Sequence, residues 1–418
     1  MGHFQIVAVF LGLMALVGWL NARTLRLPQS VAMMSAGVAT AGVLFVAQTV
    51  VGPFWGFNSV RDEVLRLNFS EAVVGYMLAF LLFSSGMQVD LGEFRRRRLA
   101  IGFLATLGVL ISTGLVGIGV WLASNAVGVG LSLPWALVFG ALISPTDPVA
   151  VMALSRSGVL SKRLAAVLEG EALFNDGVGL VVFTAALAFA QSGIAPNLTH
   201  TVGAVVAQAG GGLALGVVAG VLVTAVMRTI DDYVVELTAS LALATGVYAI
   251  AEVAHVSGPV AASAAGLIIG SYGVRVGMSE EARRYVQGFW HLADELLNGL
   301  LFLLMGLQIF IVPFDLREIG VWICSITLVA VARLMVVMPW GAYFHLRHEE
   351  KGASLILAWG GLRGGISLAL ALTLPAGPAR DLIVSTTFAV VITSVLVQGL
   401  TLGRIARWLR RNEPRRGD

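Results

Sequence analysis

The stretch ALISPTDPVAV at residues 141 to 151 places two prolines and an acidic side chain inside an apolar run. Pro145 and Pro148 bracket Thr146 and Asp147, and each proline removes a backbone donor and crowds the preceding turn. The stretch therefore cannot form a regular helix. Inside a membrane, non-helical backbone is stable only where protein covers it or where it lines a cavity. If the surrounding chain spans a membrane, this stretch predicts an interrupted helix beside a buried cavity.

The composition places the stretch in a membrane. Of the 418 residues, 57% are hydrophobic and 12% are charged, against roughly 25% charged in soluble domains. Too little polar surface remains to coat a water-soluble body, which excludes a soluble enzyme. The net charge of +3 does not indicate a nucleic-acid partner, because basic residues beside spans first set orientation. The single cysteine, Cys324, excludes a disulfide framework and a thiolate metal site.

Apolar runs separated by charges, glycine and proline predict thirteen transmembrane helices. The predicted spans are 4–22, 28–51, 69–89, 99–124, 133–155, 163–190, 201–227, 234–254, 258–273, 292–312, 319–344, 352–374 and 382–403. Of the 27 Lys and Arg residues, 21 fall on one side and four on the other, while Arg333 and Arg363 lie within spans. The positive-inside rule then places the N-terminus outside and the C-terminus in the cytoplasm. We expect one transmembrane domain over 1–418, ending in a short basic tail at 404–418 and carrying no nucleotide-binding regulatory domain.

A second interrupted helix is predicted at WGGLRGGISLAL, residues 359 to 370, where four glycines surround Arg363. The two interruptions fall in the fifth and twelfth spans. Because their positions in the order of spans differ by seven, an odd number, the two helices run in opposite directions, a pattern known from secondary transporters with inverted repeats. Half-helix N-termini carry partial positive charge and C-termini partial negative charge. We expect Asp147 to neutralise the positive ends and Arg363 the negative ends.

The sixth span contains EGEALFNDG at residues 169 to 177. Residues four apart share a helix face, so Glu171 lies with Asn175 and Ala172 lies with Asp176. The first face is suited to hold Arg363 in a buried, hydrogen-bonded ion pair. Asp176 is then the carboxylate without an obvious permanent partner.

Such a carboxylate predicts an exchange mechanism. Removal from water favours the neutral acid, so a proton and a small cation compete for Asp176. A hard cation such as Na⁺ prefers oxygen ligands, which Asp176, Thr146 and water can supply. If the site opens to one side at a time and crosses only when occupied, one proton exchanges for one cation, and the exchange is electroneutral.

At these residues the sequence resembles the monovalent cation:proton antiporter-1 family, which comprises NhaP-like bacterial and NHE-type eukaryotic sodium/proton exchangers. The matching segments, in the family's order, are SPTDPVAV (144–151), EGEALFNDG (169–177), HVSGPVAASAAGLIIG (255–270), FWHLADELLNGLLFLLMGLQ (289–308) and WGGLRGGISLAL (359–370).

The resemblance implies an all-α antiporter fold of about thirteen helices with crossed discontinuous helices 5 and 12. It also implies a homodimer in the lipid bilayer, in which each protomer has two helix bundles. The core bundle would comprise helices 4–6 and 11–13 (about 99–190 and 319–403). The scaffold bundle would comprise helices 1–3 and 7–10 (about 4–89 and 201–312). The transported ions would be Na⁺ and H⁺, with no cofactor.

The resemblance further implies a role for each site residue. Asp176 would be the carboxylate that exchanges the ions. Asn175 would place the protein among the electroneutral members, because electrogenic members carry a second aspartate at this position. Thr146 and Asp147 would form the unwound crossover, with Thr146 beside Asp176 as an ion ligand. Glu171 and Arg363 would form the core ion pair.

Two positions depart from the family pattern. Ser84, in FLLFSSG, stands where members usually carry glutamate, and Ala172 stands where they carry serine. Both changes remove oxygen or charge near the proposed site. Lithium or potassium is therefore an open alternative to sodium, and a K⁺/H⁺ antiporter of the same fold is the alternative function.

Other interpretations fit less well. An intramembrane aspartyl protease using Asp147 and Asp176 would show a GxGD segment, which neither SPTDP nor FNDG matches. A channel or sensor in the same fold would conduct without proton coupling. We expect a secondary transporter rather than an enzyme. Arg333 is expected to pair structurally with a buried acid, and Asp294 with Glu295 could line a cytoplasmic funnel.

Overall fold

The computed structural model describes residues 3–51, 69–195, 197–310, 312, 315–347 and 352–411. Within these residues the regular structure is helical. The α-helices are α1 His3–Leu20, α2 Gln29–Val51, α3 Leu78–Gln88, α4 Leu91–Ala105, α5 Leu107–Ala126, α6 Leu133–Ile143, α7 Val149–Arg156, α8 Lys162–Ser192, α9 Leu198–Met227, α10 Tyr233–Val253, α11 Gly258–Ile268, α12 Glu280–Leu307, α13 Ile319–Leu346, α14 Ala353–Trp359, α15 Gly365–Leu372, α16 Pro378–Thr393 and α17 Gly399–Arg411. Short π-helical turns extend several of them, including Glu71–Met77 before α3 and Ile269–Gly273 after α11.

Each of the thirteen predicted segments coincides with one of these helices or with a consecutive pair. Among the described residues, eight helical stretches are long and apolar enough to cross a membrane, and shorter apolar helices accompany them. The all-α polytopic fold is therefore confirmed. The segment between the second and third predicted spans, which contains Arg61 and Arg66, and the tail beyond 411 lie outside the described residues.

One predicted boundary is wrong by about three turns. The tenth span was expected at 292–312, whereas α12 begins at Glu280. Ser279 accepts a hydrogen bond from the backbone of Ala282, and Glu280 and Glu281 follow in the first turn. A serine N-cap and acidic first-turn residues stabilise a helix start, so the charged segment before the apolar run is helical as well.

The fifth and twelfth segments are broken as predicted. Helix α6 ends at Ile143 and α7 begins at Val149, while α14 ends at Trp359 and α15 begins at Gly365. The two breaks meet: the Asp147 amide donates to the Leu362 carbonyl at 2.8 Å, forming an isolated antiparallel bridge. The crossed discontinuous helices of the predicted fold are therefore present.

Two glycines allow this close crossing. A Cβ atom on Gly364 would lie 2.9 Å from the Asp147 carboxyl carbon, and one on Gly179 would meet the ring of Pro145. Only a residue without a Cβ permits such approaches. The glycines thereby bring α15 and α8 against the α6–α7 break, where the site lies.

Candidate functional site

A cavity of about 50 Å³ lies beside the crossing breaks. That volume holds a few water-sized groups, since one water needs roughly 10–15 Å³. Four of the residues singled out from the sequence line this cavity together: Thr146, Asp147, Ala172 and Asp176. Three polar residues that sequence reasoning missed also line it: Ser85, Asn298 and Ser367.

Asp176 is positioned by α8 and is partly accessible from the cavity. Within the described residues, its carboxylate has no hydrogen-bond or ion-pair partner. Asp147 is close enough to Asp176 for the two carboxylates to repel each other. Asp176 is therefore a cavity-lining carboxylate without a fixed partner in the described structure, as expected from the sequence. Its role in transport stays a prediction.

Asp147 lies at the positive ends of two half-helices. Its Oδ1 accepts a hydrogen bond of 2.9 Å from the Val149 amide at the start of α7. Its side chain also lies against Gly364, the residue before α15. Orphan amides at a helix N-terminus favour a carboxylate, so this geometry fits the expected neutralisation.

Arg363 lies at the negative end of α6. Its Nη1 donates to the carbonyl of Pro145 at 3.0 Å and to the carbonyl of Ser144. Its own amide donates to Ser394 Oγ at 2.9 Å, which fixes the backbone of the second break. The guanidinium is buried, and it supplies positive charge where carbonyls lack helical partners.

Asn175 and Thr146 are joined directly. The Asn175 Nδ2 donates to Thr146 Oγ1 at 2.8 Å, and both side chains are buried. The hydrogen bond links α8 to the α6–α7 break next to Asp176. It therefore holds the threonine hydroxyl at the cavity wall.

The predicted ion pair between Glu171 and Arg363 is not formed. Glu171 pairs instead with Arg333: Nη2 of Arg333 donates to Oε2 at 2.9 Å, and Nη1 donates to Oε1. The reason is that the carbonyls of the α6 end occupy Arg363, while α13 brings the second buried arginine to Glu171. The pairing of Arg333 with a buried acid matches the structural role expected for it.

Of the two residues that depart from the family pattern, Ala172 lines the cavity and Ser84 does not. Ala172 lines the cavity and offers it no oxygen. Ser84 instead donates to the Trp290 carbonyl at 2.9 Å, while its neighbour Ser85 lines the cavity. Two of the missed residues, Asn298 and Ser367, were recognisable as isolated polar side chains within apolar runs.

The chain is similar to known proteins over nearly its whole length. Residues 11–408 match the family model described as sodium/hydrogen exchanger, transmembrane. The chain is 40% identical over 417 residues to the Na⁺/H⁺ antiporter NhaP of Pseudomonas aeruginosa, covering 98% of both chains. It is 33% identical over 398 residues to the Na⁺/H⁺ antiporter NhaH of Halobacillus aidingensis, covering 93% of both.

A solved structure shares the fold. The sodium proton antiporter MjNhaP1 of Methanocaldococcus jannaschii superposes with a TM-score of 0.72 at 18% identity, covering 98% of this chain and 99% of that one. The family match spans nearly the whole chain, including both broken helices. The chain belongs to the sodium/hydrogen exchanger family.

Proposed function

We propose that this protein is a secondary antiporter that exchanges Na⁺ for H⁺ at the Asp176 carboxylate. The observation that carries the proposal is the contrast among the three charges at the crossover. Asp147 and Arg363 are held by backbone groups of the broken helices. Asp176 lines the same cavity as Asp147 but has no hydrogen-bond or ion-pair partner among the described residues. The relatives named Na⁺/H⁺ antiporters support the choice of ions.

The exchange follows from the chemistry of this carboxylate. Ionised Asp176 attracts a cation, and Thr146 with cavity water completes an oxygen-rich ligand set suited to a hard ion. A proton that binds the same oxygen atoms displaces the cation. Because one carboxylate binds one cation or one proton, each cycle moves equal charge in both directions and is electroneutral.

Proton competition makes a direct kinetic prediction for the site. At acidic pH the apparent KM for Na⁺ should rise in proportion to proton concentration, while the maximal rate at saturating Na⁺ stays constant. The rate should also be insensitive to a membrane voltage set by potassium and valinomycin. A voltage-dependent rate would contradict one-for-one exchange.

The decisive experiment uses purified protein in proteoliposomes with an imposed pH gradient. Adding Na⁺ should dissipate the gradient, and Asp176→Asn should abolish this response. Asp231→Asn, in an exposed loop, is the matched control and should behave as wild type. Exchange retained in the Asp176 variant would refute the site, and no response in wild type would refute the function.

Ion selectivity is tested in the same assay. Ala172 leaves the cavity without a hydroxyl at that position, which favours a site that relies more on water and discriminates less between Na⁺, Li⁺ and K⁺. Ala172→Ser should lower the KM for Na⁺ relative to K⁺. A wild type that responds to K⁺ but not Na⁺ would establish the K⁺/H⁺ alternative.

Orientation, assembly and movement complete the proposal. The distribution of Lys and Arg favours a multi-pass protein of the bacterial inner membrane with a cytoplasmic C-terminus. The apolar face of α1, exposed at Val9 and Leu16, is available for a second copy, and cross-linking of single cysteines there would detect a homodimer. Alternating access would move the core bundle, which contains both broken helices, against the scaffold bundle.

A further inference from the structure

The Ser367 hydroxyl is a polar group of the site cavity that none of the interactions described above involves. Ser367 lies in the first turn of α15, which begins at Gly365 directly after the second break. Its side chain is 3% exposed, and it lines the same cavity as Asp176. Within the described residues the hydroxyl has no hydrogen-bond partner, yet its oxygen is not sealed in the protein interior. The hydroxyl therefore opens onto the cavity.

The position of Ser367 in α15 explains why its hydroxyl is free. Hydroxyl side chains on helices commonly donate to the carbonyl one turn earlier, as Thr224 does to Gly220 at 2.8 Å. The carbonyl one turn before Ser367 belongs to Arg363, which lies in the break and precedes the helix. A hydroxyl in the first turn thus has no such carbonyl in its own helix and is left for a ligand.

The electrostatics at the start of α15 permit this ligand to be a cation. A helix N-terminus carries partial positive charge, which by itself would repel a cation. The Asp147 side chain lies against Gly364 at this end of α15, so its carboxylate balances that charge. The lone pairs of the Ser367 oxygen are then available to a positive ion.

The helix that carries Asp176 supplies the cavity with little other oxygen. Ala172, one turn before Asp176 on α8, lines the cavity with a methyl group. Thr146 contributes a hydroxyl from the first break. Because a hard cation prefers several oxygen ligands, a hydroxyl from the second break is a useful addition to this set. Ser367 provides that hydroxyl.

Ser367 also belongs to the same predicted bundle as Asp176. Of the other polar side chains that line the cavity, Ser85 lies on α3 and Asn298 on α12, and both helices belong to the predicted scaffold bundle. Asp176, Thr146 and Ser367 lie on segments of the predicted core bundle. If the core bundle moves against the scaffold, Ser367 travels with Asp176 and keeps its place beside the ion on both sides of the membrane.

We propose that Ser367 is a ligand of the transported cation, and that its Oγ binds the ion held by Asp176. The ion site then draws oxygen ligands from both broken helices, Thr146 from the first and Ser367 from the second. This role rests on the proposed function and adds to it a residue that sets the affinity for the cation. Removal of the hydroxyl should therefore weaken cation binding and leave the movement of the bundles intact.

The test measures Na⁺/H⁺ exchange in membrane vesicles from a bacterial strain without its own antiporters. Everted vesicles present the cytoplasmic face outward, and right-side-out vesicles present the opposite face. Ser367→Ala removes one oxygen and retains helix propensity. The apparent KM for Na⁺ should rise by about three- to tenfold in both kinds of vesicle, while the maximal rate at saturating Na⁺ stays largely unchanged.

Two further variants separate ion binding from structure. Ser325→Ala is the matched control, because Ser325 on α13 is a buried serine whose hydroxyl also lacks a partner among the described residues but does not line the cavity. This control should keep the wild-type KM. Ser367→Cys nearly keeps the side-chain volume but replaces the hydroxyl by a thiol, which is a weak ligand for a hard cation. Its KM should rise as in Ser367→Ala.

Each outcome has one meaning. No Na⁺ response in wild-type vesicles would refute the proposed function itself. Exchange in wild type with an unchanged KM in Ser367→Ala, or with a KM raised in one kind of vesicle alone, would overturn the ligand role of Ser367. If Ser367→Ala does not fold, Ser367→Cys decides: a raised KM in both kinds of vesicle would support the proposal, and the wild-type KM would overturn it.

Discussion

The buried pair of Glu171 and Arg333 gives a quantitative prediction for stability. Their side chains are 3% and 5% exposed, and they form two parallel hydrogen bonds. Arg333 also donates to the Leu357 carbonyl through Nε at 3.2 Å and Nη2 at 3.0 Å. The pair therefore links α8, α13 and the end of α14. Arg333→Leu would remove every one of these donors and leave Glu171 as an uncompensated buried charge.

The size of the effect follows from the burial. Removing one partner of a buried ion pair costs about 3–5 kcal/mol of unfolding free energy. Replacing both partners by apolar residues is often neutral or stabilising, although the Leu357 carbonyl then loses its donor at about 1–3 kcal/mol. The double variant Glu171→Leu with Arg333→Leu should therefore be more stable than Arg333→Leu alone.

The chain offers a matched exposed pair as a control. Arg96 and Glu93 lie 3.1 Å apart on α4, and the Arg96 side chain is 76% exposed. Exposed pairs contribute about 0–1 kcal/mol, so Arg96→Leu should have almost no effect.

The measurement is unfolding by SDS titration in mixed micelles for wild type and the three variants. Two results would contradict the buried Glu171–Arg333 pair. One is an equal loss of unfolding free energy in Arg333→Leu and Arg96→Leu, and the other is a double variant as unstable as Arg333→Leu.

Three further predictions concern transport. Gly364→Ala places a Cβ atom 2.9 Å from the Asp147 carboxyl carbon. This variant should slow Na⁺/H⁺ exchange in proteoliposomes at least about tenfold, which is equivalent to about 1.4 kcal/mol. The control is Gly102→Ala, whose Cβ atom meets open space, and it should keep the wild-type exchange rate. Thr146→Val keeps the side-chain volume but removes the hydroxyl bonded to Asn175, so the KM for Na⁺ should rise by about three- to tenfold, and an unchanged KM would remove Thr146 from the ligand set. Arg363→Gln leaves the carbonyl end of α6 without its positive charge and should lower the exchange rate by more than about tenfold; normal rates in correctly folded protein would contradict the neutralising role.

Sequence reasoning succeeded where a feature follows from chain chemistry. Prolines and glycines in two apolar spans required breaks, and the six spans between them, an even number, required opposite directions. The antiparallel bridge between Asp147 and Leu362 agrees with both expectations. The positions of Asp147 and Arg363 were also predictable, because helix ends have charges of known sign.

Side-chain partners between distant helices were not predictable in the same way. Two buried arginines, Arg333 and Arg363, were candidates for one buried glutamate, and helix periodicity does not say which of them packs against α8. The structure shows that Arg363 is occupied by carbonyls that the break at Pro145 leaves without helical donors. Backbone groups freed by a proline therefore compete with a buried carboxylate for a buried arginine.

The neutralised crossover also explains why transport would be coupled to occupancy. Two helix N-termini, each worth roughly half a positive charge, converge near Asp147, so about one charge is balanced by one carboxylate. Arg363 likewise balances the carbonyl ends. Under the proposed function, Asp176 is then the one of these three charged side chains that the transported ion would balance. An empty, ionised Asp176 would carry an unpaired charge through the membrane at a cost of several kcal/mol, whereas a bound cation or proton removes that cost. Under the proposed function, this cost would suppress movement of the unoccupied site, and exchange rather than leak would follow.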